Sequence, residues 1–116
     1  MVVLAVGLDS TLLRTQASIW KAAGCIVRAA GSIREALQHL RDGDFDLVLL
    51  GPFLPPEKRR KLTGLIRALG SRVPVASIAK SSGDRDPFAD ATLNLEPREM
   101  LAAMNDLVAK RREGWR

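Results

Sequence analysis

Along the 116-residue chain, short unbroken apolar runs alternate with longer stretches in which apolar residues recur every third or fourth position. The first run, Val2-Val3-Leu4-Ala5-Val6, ends at Gly7 without any polar alternation. Such a run predicts a strand covered on both faces, as in a parallel sheet. Asp9 or Ser10 then offers an N-cap, and Gly24 a stop, for a helix with Leu13, Ala17 and Trp20 on one face and Leu12 and Ile19 flanking. Cys25-Ile26-Val27 predicts a second strand that ends near Ala30-Gly31. Ser32, with Glu35 three positions on, has the spacing of a capping box. The helix it opens carries Ile33, Ala36, Leu37 and Leu40 at helical spacing and stops at Gly43.

Leu47-Val48-Leu49-Leu50 predicts the third strand, ending at Gly51. Pro52, Pro55 and Pro56 stiffen the loop that follows. A helix is expected over 57–69, with Leu62, Leu65, Ile66 and Leu69 inward and its basic run outward. Pro74 to Ala79 predicts the fourth strand. Ser81-Ser82-Gly83-Asp84 is turn material, and Pro87-Phe88-Ala89 leaves room for one helical turn at most. Thr92-Leu93-Asn94-Leu95 predicts the fifth strand. Pro97 opens the last helix, whose apolar face is Met100, Leu101, Met104, Leu107 and Val108. Strands alternating with helices predict an α/β domain over residues 1–116, with a parallel sheet and helices on both faces.

Composition changes this picture little. Cys25 is the single cysteine, so an internal disulfide is excluded and nothing indicates an oxidising compartment. No stretch reaches the ~20 apolar residues of a membrane-spanning helix, and a soluble, cytoplasmic protein is expected. The net charge of +5 comes largely from Lys58-Arg59-Arg60-Lys61 and Lys110-Arg111-Arg112, with Arg116 at the end. Solvated helix faces account for such clusters; attraction to nucleic acid or an acidic partner is the alternative.

In an open parallel sheet, function gathers beyond the carboxyl ends of the strands. The residues there are Gly7-Leu8-Asp9, Gly51, Ala79 and Glu96. Read together with Phe45-Asp46-Leu47-Val48-Leu49-Leu50, Pro55, Pro74-Val75 and Pro97, the chain resembles the receiver domain of bacterial two-component response regulators over nearly its whole length. The resemblance implies a flavodoxin-like, doubly wound five-stranded sheet of order 2-1-3-4-5. It also implies an acidic pair after the first strand that holds Mg²⁺, an acceptor aspartate ending the third, a hydroxyl ending the fourth, and a lysine after the fifth. The matching positions hold Gly7 and Leu8, Gly51, Ala79 and Glu96, so all five are changed. Glycine cannot form an acyl phosphate, and Mg²⁺ is usually held through one or two carboxylates. Asp9 falls at a helix-cap position. Asp46 lies five residues before Gly51, ~16 Å away along a strand, and belongs at the opposite end of the sheet.

The spacing of 17 from Ala79 to Glu96 is about one helical turn shorter than the family's, so the fourth helix is expected to be short or missing. In the family, that helix, the fifth strand and the last helix form the signalling face. The partner surface is accordingly expected at Leu93, the loop from Ser81 to Asp90, Lys110 and Trp115. The expected function is a phosphorylation-independent pseudo-receiver, without catalytic residues, metal or cofactor. A signalling kinase or output protein is the expected partner, and homodimerisation through the last helix is a further option.

Other classes fit less well. Val6-Gly7-Leu8-Asp9-Ser10-Thr11 looks superficially like the first motif of haloacid-dehalogenase-like phosphatases, but Gly7 stands at the nucleophile and the chain is too short for a cap domain. His39, the single histidine, lies off the apolar stripe of its helix and is expected at the surface. A nucleic-acid binder would rest on the tail around Trp115 and its flanking cations. A conventional phospho-switch is disfavoured by Gly51.

Overall fold

In a computed structural model that describes residues 1–8, 10–52, 54–79, 86–93 and 96–112, five parallel strands form one sheet of order 2-1-3-4-5. The strands are β1 (Val2–Val6), β2 (Ile26–Ala30), β3 (Leu47–Leu50), β4 (Val75–Ile78) and β5 (Ala91–Leu93). The helices are α1 (Ser10–Ala22), α2 (Ile33–Asp42), α3 (Pro56–Ala68) and α4 (Pro97–Arg112). This is the flavodoxin-like, doubly wound arrangement that the resemblance to receiver domains implied.

The unbroken apolar strands are explained by burial on both sides. Val3, Leu47, Leu49, Ala76, Ile78 and Leu93 face one layer, where Trp20 of α1 and Met100, Met104 and Leu107 of α4 cover them. Leu4, Val6, Val48, Leu50 and Val75 face the other, under Ala36 of α2 and Leu62 and Ile66 of α3. Adjacent strand positions thus serve opposite layers, the period of two that a pleated strand imposes. Ile19, expected to flank the inner face of α1, is half-buried, whereas Leu12, Leu13 and Ala17 lie outside the described side chains.

Local capping follows the sequence closely at α2. Ser32 Oγ accepts from the Glu35 amide at 3.1 Å, and Glu35 Oε2 accepts in return from the Gly31 amide at 3.2 Å. Leu69 departs from expectation. It follows the last turn of α3 as its C-cap and is 44% exposed, so it contributes nothing to the inner face. Cys25 is buried, and that burial raises its thiol pKa above the ordinary value, partly countered by the N-terminal ammonium.

Between β4 and β5, the described residues 86–90 make turns and no helix. A side-chain latch holds these residues to the sheet. Buried Asp86 accepts through Oδ2 from the Ser77 hydroxyl of β4 at 2.6 Å and through Oδ1 from the Phe88 amide at 3.0 Å. The Asp86 amide donates to Thr92 Oγ1 of β5 at 3.0 Å. Asp90 holds the far end: its Oδ2 accepts from the Val75 amide at 2.7 Å and from Arg67 of α3 at 2.8 Å. Ala89 packs against the α2/α3 layer, and Arg60 of α3 lies over the Phe88 ring, 5.5 Å from its centroid.

Candidate functional site

The registers Val6↔Leu50 and Leu50↔Ser77 align the carboxyl ends of β1, β3 and β4 at one edge of the sheet. Gly7 and Gly51 leave adjacent strands there, and the Gly51 amide donates to Val6 O at 2.8 Å. Gly7 turns sharply, at φ +71°, a left-handed conformation that glycine adopts without the penalty of a side chain. That turn carries the Gly7 carbonyl directly above Gly51. A β-carbon placed on Gly51 would collide with the Gly7 carbonyl oxygen, with its carbon at 2.6 Å and the Leu8 nitrogen at 3.1 Å. On the other side, a β-carbon on Gly7 would press on Leu54 Cδ1 at 3.2 Å.

Three residues therefore interlock. Glycine at position 51 makes room for the carbonyl of position 7, glycine at position 7 permits the turn, and Leu54 closes over it. Below them, Arg59 of α3 donates through one guanidinium nitrogen to Gly51 O at 3.2 Å and Pro52 O at 2.8 Å, which fixes the loop leaving β3. The root of any side chain at the tip of β3 is occupied by backbone.

The remaining expected positions are arranged around this plug. Leu8 is half-buried against the α1/α4 layer. The Ala79 amide closes the end of β4 by donating to Leu93 O at 2.7 Å. Glu96 is exposed, and its Oε2 accepts from the Glu99 amide at 2.8 Å, so it caps the first turn of α4. Asp9 lies outside the described residues. Gly7, Leu8, Gly51 and Ala79 supply no carboxylate. They do not fit Mg²⁺, a hard cation that takes carboxylate and phosphate oxygens. Among the described residues, no group of three or more His, Cys, Asp or Glu side chains is placed to hold a metal ion. Asp46 sits at the opposite edge, where its Oδ2 accepts from the Val2 amide at 2.7 Å.

The expected partner surface needs one correction. Leu93 is 4% exposed and belongs to the core under α4. Ala91 and Thr92 of β5 are half-buried, and the register Ile78↔Leu93 leaves Leu93 facing α4's apolar stripe. Lys110 is exposed on α4; Trp115 and residues 81–85 lie outside the described residues. His39 is half-buried, 3.7 Å from Glu35 Oε1 and edge-on to Phe45.

Sequence reading did not identify the latch built on Asp86. Its signals were a lone serine inside the apolar Val75-Ala76-Ser77-Ile78 run and an aspartate before a turn proline. A fully buried hydroxyl requires a partner, and aspartate is a common turn residue because its side chain binds nearby amides.

The sequence matches no family model and no curated protein. Solved structures do resemble it. A protein of Chloroflexus aurantiacus assigned as a response regulator is 25% identical, with a TM-score of 0.79 over 93% of this chain and 97% of that one. A response regulator receiver domain protein (CheY-like) of Methanospirillum hungatei is 20% identical, with a TM-score of 0.81 over 97% of each chain. The response regulator TrrA of Thermotoga maritima, solved in complex with the histidine kinase ThkA, is 20% identical, with a TM-score of 0.76 over 91% of this chain and 97% of that one. These structural neighbours are receiver domains, and the chain has their fold.

Proposed function

We propose that this chain is a receiver-like module that works through constitutive protein–protein contacts and accepts no phosphoryl group. The observation that carries the reading is the Gly7 carbonyl seated where the β-carbon of an acceptor residue would begin. A receiver that switches needs an open crevice with a nucleophilic carboxylate and a cation site. Here the crevice holds backbone, and the charge at the end of the fifth strand is the carboxylate of Glu96.

The preserved layers speak for a retained scaffold. Both cores are continuous and the strand tips keep their register, so the loss is confined to the chemistry. The neighbour solved with a histidine kinase supports a protein as the kind of partner this fold meets. The short β4–β5 connection, held by Asp86 and Asp90, offers no helix to reposition among its described residues. A module fixed in one state is the consequence.

The test is direct. The protein is incubated with a small-molecule phosphodonor and Mg²⁺, and its intact mass is measured. The expected result is an unchanged mass at every donor concentration. A hydroxylamine-labile gain of one phosphoryl group on an aspartate contradicts the proposal.

A further inference from the structure

On the opposite side of the plug, α2 and α3 leave an open groove of about 580 Å³. Its floor is aliphatic: Ile33 and Leu37 of α2, Leu65 of α3, and Leu54, all of them half-buried and therefore still partly open to solvent. Its banks are basic. Arg34 and Arg41 rise from α2, and Lys58 and Lys61 from α3. All four are exposed, and none is ion-paired among the described residues. The residues contributed by α2 run from 33 to 41 and those from α3 run from 58 to 65. At 1.5 Å per residue the groove is about 10–12 Å long, roughly two helical turns.

Lys61 and Leu65 also line a second, shallower depression of about 360 Å³ with Glu57, Arg60 and Gly64. Five cations and one acid thus border the combined surface. Glu35 stands at one end of the groove, its carboxylate held by the Gly31 amide and 3.7 Å from His39, so cations outnumber acids five to two.

We infer that the α2–α3 groove docks an acidic amphipathic helix of a protein partner, its apolar ridge on the aliphatic floor and its carboxylates against the two basic banks. The inference rests on the reading of the chain as an interaction module and names where and what it binds. The floor matches a ridge of apolar residues spaced i, i+3, i+4 and i+7, the pattern by which helices enter grooves. Nucleic acid fits less well. Its phosphates would satisfy the banks, but among the described residues no aromatic side chain lines the groove to stack a base, and the aliphatic floor would go unused. Charge complementarity also makes the docking fast and salt-sensitive.

The probe is a fluorescent synthetic helix with leucines at i, i+3, i+4 and i+7 and glutamates on both flanks, followed by anisotropy. A scrambled peptide of the same composition and an oligothymidine are the comparisons. The variant is Arg34→Glu with Lys61→Glu; both residues are exposed, so folding is expected to change little. The expected result is saturable binding of the patterned probe, weakened at least about tenfold by the double charge reversal. Scrambling is expected to weaken it similarly, and lysines in place of the probe's glutamates are expected to recover binding to the variant. Binding that is absent, indifferent to the scramble, or unchanged in the variant overturns the inference. So does displacement of the probe by oligothymidine, which assigns the banks to nucleic acid. The intact-mass test is independent of all these arms. A phosphate-free protein that ignores the probe loses the groove proposal and keeps the phosphate-independent one.

Discussion

Replacing Gly51 with aspartate, the substitution that nominally restores an acceptor, is expected to destabilise the protein by on the order of 3–5 kcal/mol without restoring phosphorylation. The reason is steric before it is electrostatic. The new β-carbon would overlap the Gly7 carbonyl, and relief requires moving the β1–α1 connection, which is backbone and cannot change rotamer. Gly51 is buried, so the carboxylate would also need a partner, and neither Gly7 nor Leu8 supplies one. Against a typical total stability of about 5–15 kcal/mol, such a loss is large. Gly51→Ala isolates the steric part, with an expected cost of about 1–3 kcal/mol or more. Urea midpoints measure both, and intact mass after phosphodonor treatment measures the gain of function. A Gly51→Asp protein as stable as its parent, and phosphorylated, would show that the crevice opens readily.

Asp86→Ala is expected to cost on the order of 3 kcal/mol. It removes two hydrogen bonds to the Asp86 side chain and strands the fully buried Ser77 hydroxyl. That asymmetry gives a sharper expectation for the pair. Ser77→Ala added to Asp86→Ala removes the stranded group, so the double variant should be no less stable than Asp86→Ala alone. Urea unfolding of the three variants closes the cycle. Additive losses would mean that the two side chains do not act as a unit, and the latch would not be what joins β4 to β5.

The order of elements was legible because both of its physical causes are local. Doubly covered strands read as unbroken apolar runs, and the helices between them carry apolar stripes bounded by caps such as Ser32 and stops such as Gly24 and Gly43. The shortening between β4 and β5 was legible from the spacing of Ala79 and Glu96 set against that of the receiver family. What fills the crevice was not. The sequence shows that Gly7 and Gly51 lack side chains, but their mutual dependence lies in where a backbone carbonyl points, which no residue type encodes. Leu93 was misplaced for a different reason. Thr92-Leu93-Asn94-Leu95 alternates polar with apolar residues, which marks Leu93 as inward, but the resemblance placed that strand on a signalling face. Leu69 was assigned inward from spacing, yet α3 ends at Ala68 and its neighbour escapes the helical face. The α2–α3 groove was invisible because its banks come from segments separated in sequence, and only the parallel packing of those helices puts Arg34 and Lys61 around one floor.

Backbone amide NMR during a Mg²⁺ titration tests the central claim most directly, because it reports on the crevice itself. With Gly7, Leu8, Gly51 and Ala79 as reporters, the expected result is no saturable shift at any of them up to millimolar Mg²⁺, with or without phosphodonor. A saturable shift centred on Gly51 and its neighbours would mean that the crevice grips the ion after all, and the account of a chemically closed receiver fold would fail.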